Sequence, residues 1–283
     1  MVLRVWDKHT ISALFEQSMP DLIYRAQQVH RAHFDANEIQ IATLLSVKTG
    51  ACPEDCKYCS QSVRYKTDVQ RESFMDHDKV LAAAKQAKAS GASRFCMAMA
   101  WRQVPKKSDF EKTLGLIKSV KALGLETCLS MGMLSAEQAT ILKEEGLDYY
   151  NHNLDTSEAY YKKIITTRTY QNRLDTLAHV AKAGLKVCCG GIVDMGESRE
   201  DRVGLLWQLT QLDKTPESVP INRLIRVPGT PFAEMPVQDD FEFVRTVAAA
   251  RTVVQLYHIP KAPHTSTSKR VYYVCTCRTY VLH

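Results

Sequence analysis

The sequence has 283 residues, 45% of them hydrophobic and 24% charged, with 12 Gly and 10 Pro, a balance that excludes disordered, collagen-like and low-complexity chains. Its 37 basic and 31 acidic residues leave a net charge of +6, too mild to point to nucleic acid. No apolar run approaches the roughly 18 residues of a membrane span. The start, Met1-Val-Leu-Arg-Val-Trp-Asp, has neither the apolar stretch of a secretory signal nor the pattern of a transit peptide. A cytoplasmic protein with no membrane or nucleic-acid partner is expected.

In chain order, a helical segment over 10–33 precedes a strand near 40–48. Helix 76–90, strand 93–99, helix 108–123, strand 125–131, helix 135–145 and strand 147–153 follow. Helix 170–183, strand 185–193, helix 199–212, strand 219–227 and helix 239–256 complete the series. One phrase recurs: a helix ending in Lys, a Gly, then a short apolar run, at Gly91, Gly124, Gly146 and Gly184. Gly past a helix end supplies the left-handed cap, and Lys in the last turn suits the helix dipole. Ser135-Ala-Glu-Gln138 reads as a capping box. Strands alternating with helices predict a parallel sheet. The expected fold is α/β: an incomplete (β/α)-barrel of TIM type, with about six of eight βα units, or else an open sheet. Residues 1–254 form one barrel domain and 255–283 a divergent tail, with no internal linker.

Nine cysteines in a chain of cytosolic character are not expected to form disulfides. Counted from the glycine of each unit, Cys96, Cys128 and Cys188 fall four or five residues along, while Asn151 and Asn153 fall five and seven residues after Gly146. A shared strand offset puts these groups on one face, the barrel interior, and turns Cys189 outward into the helix layer. Packing of the three thiols as small apolar groups is the competing explanation.

The first strand runs into Lys48-Thr-Gly-Ala-Cys52-Pro-Glu-Asp-Cys56-Lys-Tyr-Cys59. Three cysteines spaced C-x3-C-x2-C on a loop beyond the C-terminal end of a strand lie where barrel enzymes place their active sites. Iron–sulfur cubanes usually take four thiolates, so three leave one iron open to another ligand. Zinc is the alternative, but it favours paired C-x2-C knuckles, and Cys275-Thr-Cys277 is too tight and too distant to serve as the second.

This loop resembles the signature of radical S-adenosylmethionine (SAM) enzymes. Together with Tyr149-Tyr-Asn-His-Asn-Leu-Asp-Thr156, Ile164-Ile-Thr-Thr-Arg-Thr-Tyr-Gln171, Cys188-Cys-Gly-Gly-Ile-Val193 and Ser218-Val-Pro-Ile-Asn222, it resembles the biotin synthase family from about residue 10 to about residue 254. The resemblance implies that Cys52, Cys56 and Cys59 hold a [4Fe–4S] cluster whose open iron takes SAM. It implies that Cys96, Cys128 and Cys188 hold a [2Fe–2S] cluster that donates sulfur. Reductive cleavage of SAM would give a radical that removes hydrogen from two unactivated carbons of dethiobiotin, and sulfur would close the ring. By the same resemblance Asn153 and Asp155 bind the SAM ribose, Arg173 its carboxylate, and Asn151 and Asn222 the ureido group of dethiobiotin. The implied partners are an electron donor such as flavodoxin or ferredoxin, iron–sulfur assembly proteins and a second copy of the chain in a homodimer. Local alternatives stay open: Asp155 as a helix cap, Asn151 or Asn222 on strand-end backbone groups, Arg173 as a solvated helix charge.

The chain departs from the family pattern in three places. Ser60 follows the third cysteine where many relatives have Pro, and Asp194 stands in Gly190-Gly-Ile-Val-Asp-Met-Gly-Glu197 where the pattern has Gly. A carboxylate there either crowds the cofactor or turns to solvent. From Gln255 to His283 there is no Asp, Glu or Gly, whereas Lys261, Lys269, Arg270 and Arg278 are basic. The family's seventh strand carries an Arg ligand of the [2Fe–2S] cluster, and this tail does not match it. It reads as the product of a shifted reading frame or an equivalent truncation, with SAM cleavage reduced and biotin formation very low. The alternatives are another radical SAM enzyme with a different small substrate, or an inactive, cluster-binding product. Residues 271–281 have high β-propensity and suit an added edge strand or an aggregating segment.

Overall fold

The computed structural model describes residues 6–256 and 273–275. Two helices, α1 (Lys8–Phe15) and α2 (Met19–His33), open the chain. Then come β1 (Ala42–Lys48), α3 (His77–Ala89), β2 (Arg94–Met99), α4 (Lys107–Ala122), β3 (Glu126–Ser130), α5 (Ala136–Glu144) and β4 (Tyr149–Asn151). Two helices, α6 (Glu158–Ile164) and α7 (Tyr170–Lys182), follow β4. Next are β5 (Lys186–Cys188), β6 (Gly191–Val193), α8 (Arg199–Thr210), β7 (Ser218–Arg223), α9 (Asp240–Leu256) and β8 (Tyr273–Cys275).

Every strand pairing is parallel, and the strands lie side by side in chain order, with β5 and β6 both against β7. The predicted strand 185–193 is thus interrupted. The break falls at Cys189–Gly190, where a Cβ on Gly190 would lie 1.9 Å from the Pro220 carbonyl oxygen. That close approach needs glycine and forces the strand to step. Counting β5 and β6 as one interrupted strand, the sheet is seven strands wide among the described residues. The expected six positions become seven because Tyr273–Cys275, from the β-prone block of the tail, pairs with Ser218–Pro220 of β7. The remainder of the tail, and so most of the expected 255–283 unit, lies outside the described residues. Among the described residues β8 has no pairing to β1, and the sheet is an open, incomplete barrel.

The helical signals were sound. Gly91, Gly124, Gly146 and Gly184 all have φ between 76° and 90° just past α3, α4, α5 and α7, and Ser135 and Gln138 make the reciprocal capping box. The helix missed by the sequence reading is α6. It has only seven residues, so its periodicity is faint, although Ser157 caps it and Glu158 opens it. The apolar core lies between sheet and helices, with Phe95, Met97, Leu129, Tyr150, Val187, Ile221 and Ala249 almost fully enclosed. The helices α1 and α2 pack on α8 and α9. No helix among the described residues is long and apolar enough to cross a membrane.

At the opposite end from the strand exits, Asp148 ties three elements together. Its carboxylate accepts from Lys121 Nζ of α4 at 2.5 Å and from the Thr127 amide of β3 at 2.9 Å, just before β4 begins. Burial favours its neutral form, but the bonds from Lys121 and Thr127 win and hold its pKa below the ordinary carboxylate value. A carboxylate lowered on folding contributes stability above its unfolded pKa of about 3.9, and that stability is lost as the pH falls through the folded value. Replacing Asp148 by Asn should therefore cost about 1.5–3 kcal/mol at pH 7. It should also flatten the loss of stability below about pH 4, read by urea titration at pH 7 and pH 3.

Candidate active site

The loop that leaves β1 is held in shape by its own backbone. The Cys52 amide donates to the Gln61 carbonyl at 3.0 Å, the Val63 amide donates back to Cys52 at 2.9 Å, and the Cys59 amide closes a turn on Cys56 at 2.9 Å. Asp55 anchors the loop to the segment between α6 and α7 by accepting from the amides of Thr166 at 2.9 Å and Thr167 at 3.1 Å. Burial opposes ionisation of Asp55, but these bonds outweigh it and hold its pKa at about 2. The Lys57 amide adds a bond to the Ile164 carbonyl at 3.0 Å.

Within that loop Cys56 is buried and Cys52 and Cys59 are half-buried, and all three are free thiols. Burial raises each of them, Cys56 to about 12. They lie near enough for Cys59 to raise Cys56 and Cys52 to raise Cys59 by charge. The nearest compensation is the Arg168 guanidinium, whose Nη2 is 3.9 Å from Cys56 Sγ, with its Nε buried and unpartnered among the described residues. Three clustered thiols that burial keeps protonated are donors suited to an added cationic core, which would stabilise them as thiolates. Among the described residues no three Cys, His, Asp or Glu side chains are set to grip a single ion.

Below this mouth the interior carries a second thiol set. Register pairs Cys96 with Cys128, Cys128 with Tyr149, and Asn151 with Cys188, which itself faces Ser218. Cys128, Tyr149 and Cys188 form their own cluster with Cys96 against it, apart from the main apolar core. Cys189, one residue on, is fully buried in that main core instead, as strand alternation requires. Cys128 hydrogen-bonds with both Cys188 and Cys96, which raises its pKa. Cys188 is lowered, first by the bond from Cys128, against burial, and then by Ser218, the Arg94 charge and Asn151. Arg94 is buried with its guanidinium 3.6 Å from the Tyr149 ring centre and 3.0 Å from Glu126.

At the exit of β4, Asn151 donates to Asn153 Oδ1 at 3.1 Å and to Cys188 Sγ at 3.3 Å. It also donates to the Cys188 carbonyl at 3.2 Å, so the strand-end role describes its resting contacts. Asn153 Oδ1 also accepts from the Gly190 amide at 3.1 Å. Asp155 is not the cap of α6, a part played by Ser157. It is buried in an ion pair with Arg173 and accepts from Tyr58 Oη at 2.8 Å. Arg173 is buried too, with Nε 3.1 Å from Tyr161 Oη, which corrects the picture of a solvated helix charge. Asn222 differs from its neighbours: its Oδ1 is buried and has no partner among the described residues. Asp194 neither turns to solvent nor points free into the site, because its carboxylate is buried against Arg223 at 2.7 Å. Among the described residues Ala51, Asp155 and Asp194 are the non-glycine ones with positive φ, at 53°, 69° and 77°. All three follow strands at the same end of the sheet, where strained backbone commonly marks a functional site. The sequence reading missed Tyr58 and Arg168. Only the position of Tyr58 between two motif cysteines could have suggested it.

The radical SAM superfamily matches residues 46–206. The biotin synthase of Alkalilimnicola ehrlichii is 58% identical over 254 residues, covering 90% of this chain and 76% of that protein. The biotin synthase of Cupriavidus metallidurans is 59% identical over 246 residues, covering 87% and 71%. The chain belongs to the biotin synthase family. Among solved structures, methylornithine synthase superposes with a TM-score of 0.77 at 17% identity, over 88% of this chain and 74% of that one. The [FeFe]-hydrogenase maturase HydG from Carboxydothermus hydrogenoformans gives 0.75 at 16%, over 89% and 61%. At such identities these two speak for the fold alone.

The buried pair yields a test of the apoprotein. Arg173→Met leaves Asp155 as an uncompensated buried charge and should cost about 3–5 kcal/mol in urea unfolding. The double variant Arg173→Met, Asp155→Asn should cost distinctly less than the single one. Equal losses would mean that the pair is not coupled.

Proposed function

We propose that Cys52, Cys56 and Cys59 hold the [4Fe–4S] cluster and that Cys96, Cys128 and Cys188 hold the [2Fe–2S] cluster of a biotin synthase. The family performs radical SAM sulfur insertion in biotin synthesis, with SAM and the two clusters as cofactors, dethiobiotin as substrate and an electron donor as partner. The observation that carries the ligand assignment is the interior thiol layer. Three cysteines from β2, β3 and β5 gather around Tyr149, apart from the main core, where barrels ordinarily pack branched apolar side chains. When bound, the first cluster supplies the electron that cleaves the sulfonium bond of SAM and the second supplies the inserted sulfur.

The chain's own residues bind, orient and exclude water. Arg173 receives the SAM carboxylate while keeping Asp155 as counter-charge, and Asp155 and Asn153 accept from the ribose hydroxyls. Asn222 Oδ1, which lacks a partner among the described residues, takes an N–H of the ureido group. Asn151 donates to the ureido oxygen after releasing a backbone contact, since an amide can donate and accept in one plane. Arg168 sets a positive charge beside Cys56 and so favours the reduced cluster. Residues 1–254 are the barrel domain, the chain acts in the cytoplasm as a homodimer, and iron–sulfur assembly proteins load it. Sulfur insertion is weaker than SAM cleavage, because the sequence from Gln255 onward does not match the family's seventh strand and its arginine.

Anaerobic reconstitution with iron and sulfide, followed by dithionite, SAM and dethiobiotin, tests these assignments. Cys52→Ala should abolish the [4Fe–4S] spectrum and 5′-deoxyadenosine together. Cys96→Ala should keep that spectrum and lose the [2Fe–2S] signal and biotin. Loss of both clusters from both variants, with folding intact by circular dichroism, would refute the division of ligands. Biotin at ordinary family yields from the unaltered chain would refute the impaired sulfur step.

A further inference from the structure

The segment between β7 and α9, residues 224–239, returns on itself, and its base is closed around one carboxylate. Asp194 Oδ2 accepts from Arg223 Nε at 2.7 Å and Arg226 Nη2 at 3.5 Å, and Oδ1 accepts from the Gln238 amide at 3.0 Å. Both arginines continue to the far side of the segment. Arg223 Nη2 donates to the Gln238 carbonyl at 2.6 Å, and Arg226 donates to the carbonyls of Met235 and Pro236 at 2.6 Å each. Two cations thus meet at one buried carboxylate, and Arg223 also pairs with Asp240 at the start of α9, so Asp194 is the group that joins both arginines at the base. The carboxylate stands at φ 77°, a conformation unfavourable for a side chain with a Cβ, so the surrounding contacts must hold it there.

The other end of the segment lies on the cysteine loop. The Phe232 amide donates to the Lys57 carbonyl at 3.2 Å, between Cys56 and Cys59. A Cβ on Gly229 would lie 1.8 Å from the Lys66 carbonyl oxygen, so backbone meets backbone there and only glycine fits. Clamping the base therefore fixes the height of the tip.

We propose that Asp194 is a positioning residue: it latches residues 224–239 over the cysteine loop through Arg223 and Arg226, and thereby limits access of water and oxygen to that loop and shapes the SAM-binding mouth. The proposal rests on the reading that Cys52, Cys56 and Cys59 bear the cluster. Nothing in the SAM chemistry requires a carboxylate at this position, so the latch is a feature added to the site.

The test uses the full chain with Asp194→Gly, which removes the carboxylate while suiting the positive φ, and Asp194→Asn. Amide hydrogen exchange of the apoprotein should rise about tenfold within 224–239 and at 57–66 while α3 to α5 stay unchanged. After anaerobic loading, iron content should match the unaltered chain, but the cluster's visible absorbance should decay several-fold faster in air. The KM for SAM should rise with kcat for 5′-deoxyadenosine within about twofold. Arg223→Met with Arg226→Met, which removes the bonds to the Gln238, Met235 and Pro236 carbonyls, should raise exchange in the same two stretches even with Asp194 in place. Unchanged exchange in Asp194→Gly would overturn the latch, as would a rise spread evenly over the chain. If the unaltered chain takes up no cluster, the ligand assignment fails, while the exchange result still decides whether the base is clamped.

Discussion

Parallel pairing in register is the constraint on which the molecule depends. When neighbouring strands run the same way without slipping, residues from distant parts of the chain arrive at one height inside the sheet. Cys96, Cys128 and Cys188 are 92 residues apart from first to last in the sequence numbering, yet pairing brings their side chains into one small group. A shift of a single residue in β3 would turn Cys128 outward and Leu129 inward, exchanging thiol for apolar core. The strands need little specificity of their own, because the outward faces, with Phe95, Met97, Leu129 and Val187, have only one place to be buried.

Above this sheet the chain spends its polar residues on fixing loops. Asp55 joins the cysteine loop to the α6–α7 segment, and Tyr58 reaches from that same loop to Asp155. Arg173 then joins Asp155 to α7. The first two links cross 111 and 97 positions in sequence, and the third spans 18 across α6. The strained residues Ala51, Asp155 and Asp194 sit at these junctions, where regular structure ends and neighbouring bonds over-determine the backbone.

Much of this was legible from the residues alone. The glycine that ends each helix and the apolar run behind it gave the order of strands, and the cysteine spacing marked a loop that the structure sets at the exit of β1. Alternation alone separated Cys188 from Cys189. What could not be read was anything decided by contact between distant segments. The step at Gly190 comes from the approach of Pro220, which no local pattern announces. The short helix α6 has too few turns for a periodic signal. Asp194 read as an intrusion because its partners, Arg223 and Arg226, lie some thirty positions downstream, and charge pairing across that distance appears only once the strands are assembled. The seventh strand position was ambiguous in the same way, since β-propensity says that a segment can pair but not with what.

The interior thiols and the apolar core are separate groups, and that separation bears on how such a protein can change over generations. Packing that keeps the polypeptide folded resides between sheet and helices, whereas the three thiols reside inside the sheet. Selection can thus act on one without greatly disturbing the other. Lineages that stop needing the chemistry can shed it by small substitutions and still inherit a sound scaffold, open to recruitment for another task.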